Sequence, residues 1–226
     1  MATDTGFGDV RFFEDFLGDA LNTLFWIENH DTSGTVAPVE AVANGNLQIY
    51  TDGTDGDIQN LFGVDQFIPA TQGTIIFECR AKMVTSISQG VFIGLTDQND
   101  ADEVPIDNDD GTLTTTASDA VGFVYDSGEG THWACCSVKA DADGTQTDCE
   151  ATDDPVLNTY QTFRITVESN GDTRYFINGK EVTVSGAART AAITTTDPLA
   201  ACVAQLANGT AGSVYVDYIY VSAGRA

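Results

Sequence analysis

The chain has 226 residues, 42% of them hydrophobic, which is enough apolar material for a sizeable core and too much for a disordered segment. Its 34 acids against 9 bases give a formal net charge of −25, which repels phosphate backbones and anionic lipid, so neither nucleic acid nor membrane is expected as a partner. The opening MATDTGFGDVRFFEDF has neither the basic nor the apolar stretch of a targeting segment, and no apolar run is long enough to span a bilayer, so synthesis and folding in a cytosol are expected.

No linker and no internal repeat divides the chain. Residues 1–13 read either as an N-terminal arm or as a first strand, and residues 14–226 as one domain. Phe12–Leu24 has room for one helical turn at most, because no stripe of 3.6-residue period persists. Asn46–Tyr50 follows an Asn-Gly and reads as a strand. Thr74–Met83 places Ile75, Phe77, Cys79, Ala81 and Met83 on one face, the period of two expected of a half-buried strand. Gly90–Leu95 is short and apolar. Val121–Tyr125 and Thr131–Val138 bracket a Gly-rich turn. Gln161–Glu168 alternates Phe163, Ile165 and Val167 against polar residues, then meets Asn170-Gly171, Thr173–Asn178, Asn178-Gly179 and Glu181–Val184. Asn-Gly between β runs predicts hairpins with type I′ turns, whose two central residues both need positive φ. Leu199–Leu206 and Ser213–Val221 complete the set. Many short strands with Gly, Asn and Asp corners predict an all-β, antiparallel two-sheet sandwich with little helix.

The acids gather in two stretches: Asp97–Asp110 holds seven carboxylates and Asp141–Asp154 six, with no base in either. Both read as solvated loops. Calcium also favours oxygen-rich loops, but neither stretch has the spacing of an EF-hand, so no cofactor or metal is expected. The five cysteines are an odd number, unlike a disulfide framework. Cys79 and Cys202 alternate with apolar residues and read as buried. Cys135 or Cys136 can meet Cys149 across a turn near Asp143-Gly144 and pair with it in an oxidising medium.

Catalytic patterns are missing. A strand bearing Glu-x-Asp-x-(x)-Glu would set two carboxylates on one face to flank a glycosidic bond. None of the nine glutamates is followed by Asp two residues later. There is no Gly-x-Ser-x-Gly elbow and no phosphate-binding Gly-Lys-Ser/Thr loop, and His132 beside Trp133 reads as structural. The chain is therefore expected not to be an enzyme.

Four segments in order carry a family resemblance: EDFLGDALNTLFW (14–26), NGNLQIY (44–50), YQTFRITVESNGDTRYFINGKEV (160–182) and VYVDYIYV (214–221). Together they resemble the concanavalin-A-like lectin/glucanase superfamily, which implies a jelly roll. Within it, the acidity and the short N-terminal segment resemble tailed-bacteriophage head-surface proteins, above all capsid decoration (cement) proteins. That resemblance implies a virion structural protein, assembled in the host cytoplasm as a symmetric homo-oligomer and bound to the major capsid protein at the outer capsid surface. Phe7, Arg11, Phe12 and Phe13 are then the capsid-contact candidates, with Arg80, Lys82, Arg164 and Arg174 as further anchors to an acidic shell. The alternative is a carbohydrate-binding lectin-like module on a virion or cell surface, with Tyr125, Trp133 and Tyr160 as its aromatic platform.

Overall fold

In the computed structural model the described residues are 8–30, 33–39, 45–98, 103–109, 112–128, 130–144, 146–149, 153–182 and 192–225. They form, in order, β1 (Asp9–Glu14), β2 (Trp26–His30), β3 (Gly34–Pro38), β4 (Leu47–Thr51), β5 (Ile58–Phe67), the single-turn α1 (Pro69–Gln72), β6 (Ile75–Val84), β7 (Gln89–Thr96), β8 (Ile106–Asp109), β9 (Thr112–Thr115), β10 (Ala120–Asp126), β11 (Ala134–Lys139), β12 (Ala142–Asp143), β13 (Thr147–Asp148), β14 (Gln161–Val167), β15 (Thr173–Ile177), β16 (Lys180–Glu181), β17 (Leu199–Ala207) and β18 (Gly212–Gly224). The one assigned helix among the described residues is Pro69–Gln72, where Pro69 presets φ for a first turn; within Phe12–Leu24 the β1 portion is extended and a single turn starts at Asn22, whose carbonyl accepts from Phe25 N and Trp26 N at 3.0 and 3.1 Å.

All strand pairs are antiparallel and form two large sheets and a separate two-stranded one, the β8–β9 hairpin. Sheet I runs β16-β15-β14-β6-β18-β4-β3, with β1 also on β18; sheet II runs β12-β11-β10-β7-β17-β5-β2, with β13 also on β11. The long β18 is the spine of sheet I: β6 lines one edge, while β4 and β1 share the other, at Gly212–Val216 and Ile219–Gly224. The main core lies between the sheets and is built from alternate residues, including Ile75, Phe77 and Cys79 of β6, Phe163, Ile165 and Val167 of β14, and Val121 and Phe123 of β10. These strands obey a period of two because one face meets the opposite sheet and the other does not.

Register breaks between Val216 and Tyr218, a bulge at which Asp217 and Tyr218 both turn outward. The corners are of two kinds. At Asn178-Gly179 both residues have positive φ, 51° and 79°, as a type I′ turn requires. At Asn170-Gly171 only the glycine does, and Gly171 N donates to Glu168 O at 2.9 Å, so the expected two-residue turn is replaced by a longer one ending in a left-handed glycine. The loop has an extra residue to absorb because β14 ends at Val167 and β15 starts at Thr173.

Candidate functional site

The outer faces of the two sheets differ in kind. On sheet II, Phe62, Phe92, Val124, Ala134, Cys136, Val138 and Cys202 point away from the main core, yet they are buried. The β8–β9 hairpin and its flanks cover them, with Val104, Ile106 and Ala117 packed inward. The cover fits because Gly122 lacks a side chain: a Cβ there would sit 2.3 Å from the Phe92 ring. The base of the hairpin is tied by Asp119, fully buried, which accepts hydrogen bonds from Ala140 N at 3.2 Å and from Thr194 N. Asp97 accepts from Asp119 N at 3.1 Å, and burial holds its carboxyl above the usual range. Much of the stretch expected as a solvated loop is therefore a lid. Its apolar residues are few and separated by acids, so the charge concealed the face that packs down. Along β10 the residues of this face are Ala120, Gly122, Val124 and, at the end of the strand, Asp126, whose carboxylate accepts from Gly128 N at 2.6 Å and from Asn208 Nδ2 at 3.0 Å.

The outer face of sheet I is open and built from rows that cross the strands. One row is Phe176, Arg164, Glu78, Tyr220 and Phe13, from β15, β14, β6, β18 and β1. A second is Arg174, Thr166, Ile76, Ser222 and Arg11. A third brings Thr162 beside Arg80 and Tyr218. The strands of sheet I contain six of the chain's nine bases, Arg11, Arg80, Lys82, Arg164, Arg174 and Lys180, against five acids, Asp9, Glu14, Glu78, Glu181 and Asp217. That balance of +1 contrasts with −25 for the chain.

An open cleft of about 420 Å³ lies on this face, lined by Glu78, Thr162, Arg164, Phe176, Asn178 and Gly179. Tyr218 donates to Glu78 Oε1 at 2.7 Å, and burial together with that carboxylate pushes the phenol well above its ordinary pKa, so it stays a neutral donor. Arg164 lies 5.8 Å from the centre of the Phe176 ring. Its Nε is buried with no hydrogen-bond partner, and Arg164 makes no ion pair among the described residues. Asn178 Oδ1 accepts from Thr162 N at 3.0 Å, which fixes the amide at the rim. Beside the cleft, Arg80 pairs with Asp217 and stacks 4.1 Å from the Tyr160 ring centre, with Lys82 at 4.4 Å from the same ring. Tyr160 in turn donates to Asn46 Oδ1.

The expected platform of Tyr125, Trp133 and Tyr160 is thus split. Tyr125 and Trp133 do meet, at 5.5 Å between rings, but each is only 2% exposed and inside the main core. Trp133 donates Nε1 to Gln161 at 3.1 Å and packs edge-on against Phe163, so neither ring can offer a face to a sugar. Period-two strands bury one of two faces, and sequence alone did not say which. Tyr160 is on the open face. Of the capsid-contact candidates, Phe7 lies outside the described residues. Arg11, Phe12 and Phe13 are in β1: Phe12 packs inward, 5.4 Å from the Trp26 ring, while Arg11 and Phe13 point outward, Phe13 with 59% exposure. Glu78, Thr162, Phe176 and Asn178 were not singled out from sequence. The signal was present in the alternation of β6, β14 and β15, but joining those residues needed the register between strands.

Among the described residues, no three His, Cys, Asp or Glu side chains converge as a metal site would need. No protein-family model matches the chain, and no curated protein matches it in sequence. Solved structures do. They include the Bacillus licheniformis β-glucanase, at 14% identity over 96% of this chain and 98% of that one, with a TM-score of 0.63. The carbohydrate recognition domain of Emp47p matches at 10% identity over 99% and 100%, with a TM-score of 0.63. A prokaryotic β-1,3-1,4-glucanase (lichenase) derived from a mouse hindgut metagenome matches at 12% identity over 93% and 98%, with a TM-score of 0.60. Two of these three are glucanases, which overturns the expectation of a chain without enzymatic activity: the missing Glu-x-Asp-x-(x)-Glu strand removes one catalytic arrangement, while the shared fold carries hydrolysis as well as binding. None of the three is a capsid protein, and they lend no support to a virion role. The two-sheet sandwich of this chain is that of the concanavalin-A-like lectin and glucanase jelly rolls.

Proposed function

We propose that the chain is a carbohydrate-recognition module that takes its glycan on the outer face of sheet I, against Phe176. The observation that carries this reading is the cleft in which an aromatic ring, a carboxylate, an unpaired guanidinium and a fixed amide converge on solvent. A pyranose offers an apolar face of C–H groups and a rim of hydroxyls. Phe176 stacks on the first, while Glu78 accepts from the rim and Arg164 and Thr162 donate to it. The volume of about 420 Å³ falls within the range of small-ligand clefts, roughly 300–1,000 Å³. The concentration of bases on this one face of a −25 chain favours a sugar bearing a carboxylate or sulfate, since a guanidinium grips such groups in a two-pronged hydrogen bond.

The matched carbohydrate recognition domain and glucanases support the class of ligand, not the position of the site. Capsid decoration would require this module to be displayed on a virion head; no residue described above favours that over another surface.

The test is a glycan array that includes uronic-acid and sulfated sugars, read for the wild type and for Phe176→Ala and Arg164→Ala. Hits on acidic glycans, lost in both variants and weakened by salt, are expected. The same hits are incubated and assayed for released reducing ends, which separates binding from turnover. An array without hits, or hits indifferent to both substitutions, overturns the proposal.

A further inference from the structure

All five cysteines are thiols and all are buried, but they are not equivalent. Cys79 belongs to β6 and Cys202 to β17, each fully buried, and burial raises both thiols well above their ordinary pKa. Cys136 faces the lid of sheet II. Cys135 and Cys149 point the other way, into the main core, with their sulfurs 3.8 Å apart.

This proximity comes from the local fold. The short β13 pairs with β11 so that Thr147 lies opposite Cys135, and Cys149 N donates to Trp133 O at 2.6 Å just beyond the strand. Cys149 is therefore two residues past the partner of Cys135, a diagonal neighbour on the same face. Cys136, one residue along β11, points to the opposite face and is out of reach.

We infer that Cys135 and Cys149 are a disulfide site, formed when the protein meets a small-molecule disulfide such as oxidised glutathione. The sulfurs need to close from 3.8 Å to about 2.05 Å, a motion within the reach of side-chain rotation. β13 is two residues long and lies at the edge of sheet II, so it opens locally without unfolding the core. One thiolate attacks oxidised glutathione, forms a mixed disulfide and releases one glutathione. The second thiolate then attacks the protein sulfur of that mixed disulfide and releases the other glutathione. Two protein thiols are oxidised, one glutathione disulfide is reduced to two thiols, and the two protons pass to the released glutathiones. The bond closes a loop containing Cys136 to Asp148, and with it the β12–β13 return against β11. Restricting that loop in the unfolded chain raises the stability of the folded one.

The full-length chain, incubated with oxidised glutathione and then denatured, is titrated for thiols and mapped by mass spectrometry. We expect the thiol count to fall from five to three, with a mass lower by two hydrogens, a peptide joining Cys135 to Cys149, and a melting temperature higher by about 5 °C than the reduced form. Cys136→Ala retains the oxidation, and Cys149→Ser abolishes it. The peptide map of the wild type decides the matter even if Cys149→Ser fails to fold. Five thiols remaining after treatment, stable glutathione adducts without a cross-link, or a bond through Cys136 would each overturn the inference.

Discussion

The outer faces of the two sheets show how one architecture uses the same type of surface in opposite ways. In sheet II the outward residues are small or apolar and a hairpin seals them, so that face adds a second core to the molecule. In sheet I the outward residues are mostly charged, aromatic or hydroxyl-bearing and no described element covers them, so among the described residues that face contributes little to burial. The strands of sheet II hold one base, Lys139, whereas those of sheet I hold six. A sheet needs only one buried face to be stable, and the second is free to serve either packing or recognition.

The contrast is broken most severely at Phe92. Phe92→Ala empties the space between sheet II and its lid and is expected to cost about 3–5 kcal/mol, measured by urea unfolding, without direct effect on the open face. Gly122→Val forces the Phe92 ring aside and is expected to cost about 1–3 kcal/mol by overpacking. A loss below about 0.5 kcal/mol in both would show that the lid is not packed as described. Phe176→Ala, on the other face, is expected to change stability by about 1 kcal/mol or less while weakening glycan binding by roughly tenfold or more, measured by titration calorimetry. Equal stability losses at Phe176 and Phe92 would erase the distinction between the faces.

The smallest effect concerns His132, whose ring hydrogen-bonds Asp154. That bond holds the imidazole pKa above its ordinary value. The pair's contribution is complete below about pH 6.5 and fades as pH rises through the folded-state pKa. Urea midpoints compared at acidic and alkaline pH should show this fall in the wild type and less of it in His132→Gln.

The sequence made the sandwich legible where strands face one core and end at sharp corners. β6, β14 and β15 alternate cleanly, and Asn178-Gly179 adopts the turn its residues demand. It was less informative for β5 and β7 of sheet II, which are buried on both faces and so lack alternation. The lid was concealed because Val104 and Ile106 are embedded among carboxylates. The open face of sheet I was half visible: Arg11, Arg80, Lys82, Arg164 and Arg174 were recognised as a scarce basic set, and register brought them to one sheet. Trp133 was misplaced because aromatic residues serve cores as readily as sugar platforms.

The place of β18 between β6 on one side and β4 and β1 on the other has a consequence for biosynthesis. A ribosome releases Gly212–Gly224 after every other strand has emerged, so sheet I waits without its central member while β1 and β4 stand unpaired along that edge. Native closure is then a late event joining residues more than 200 positions apart, such as Asp9 and Gly224, and acquisition of the finished fold should be slow.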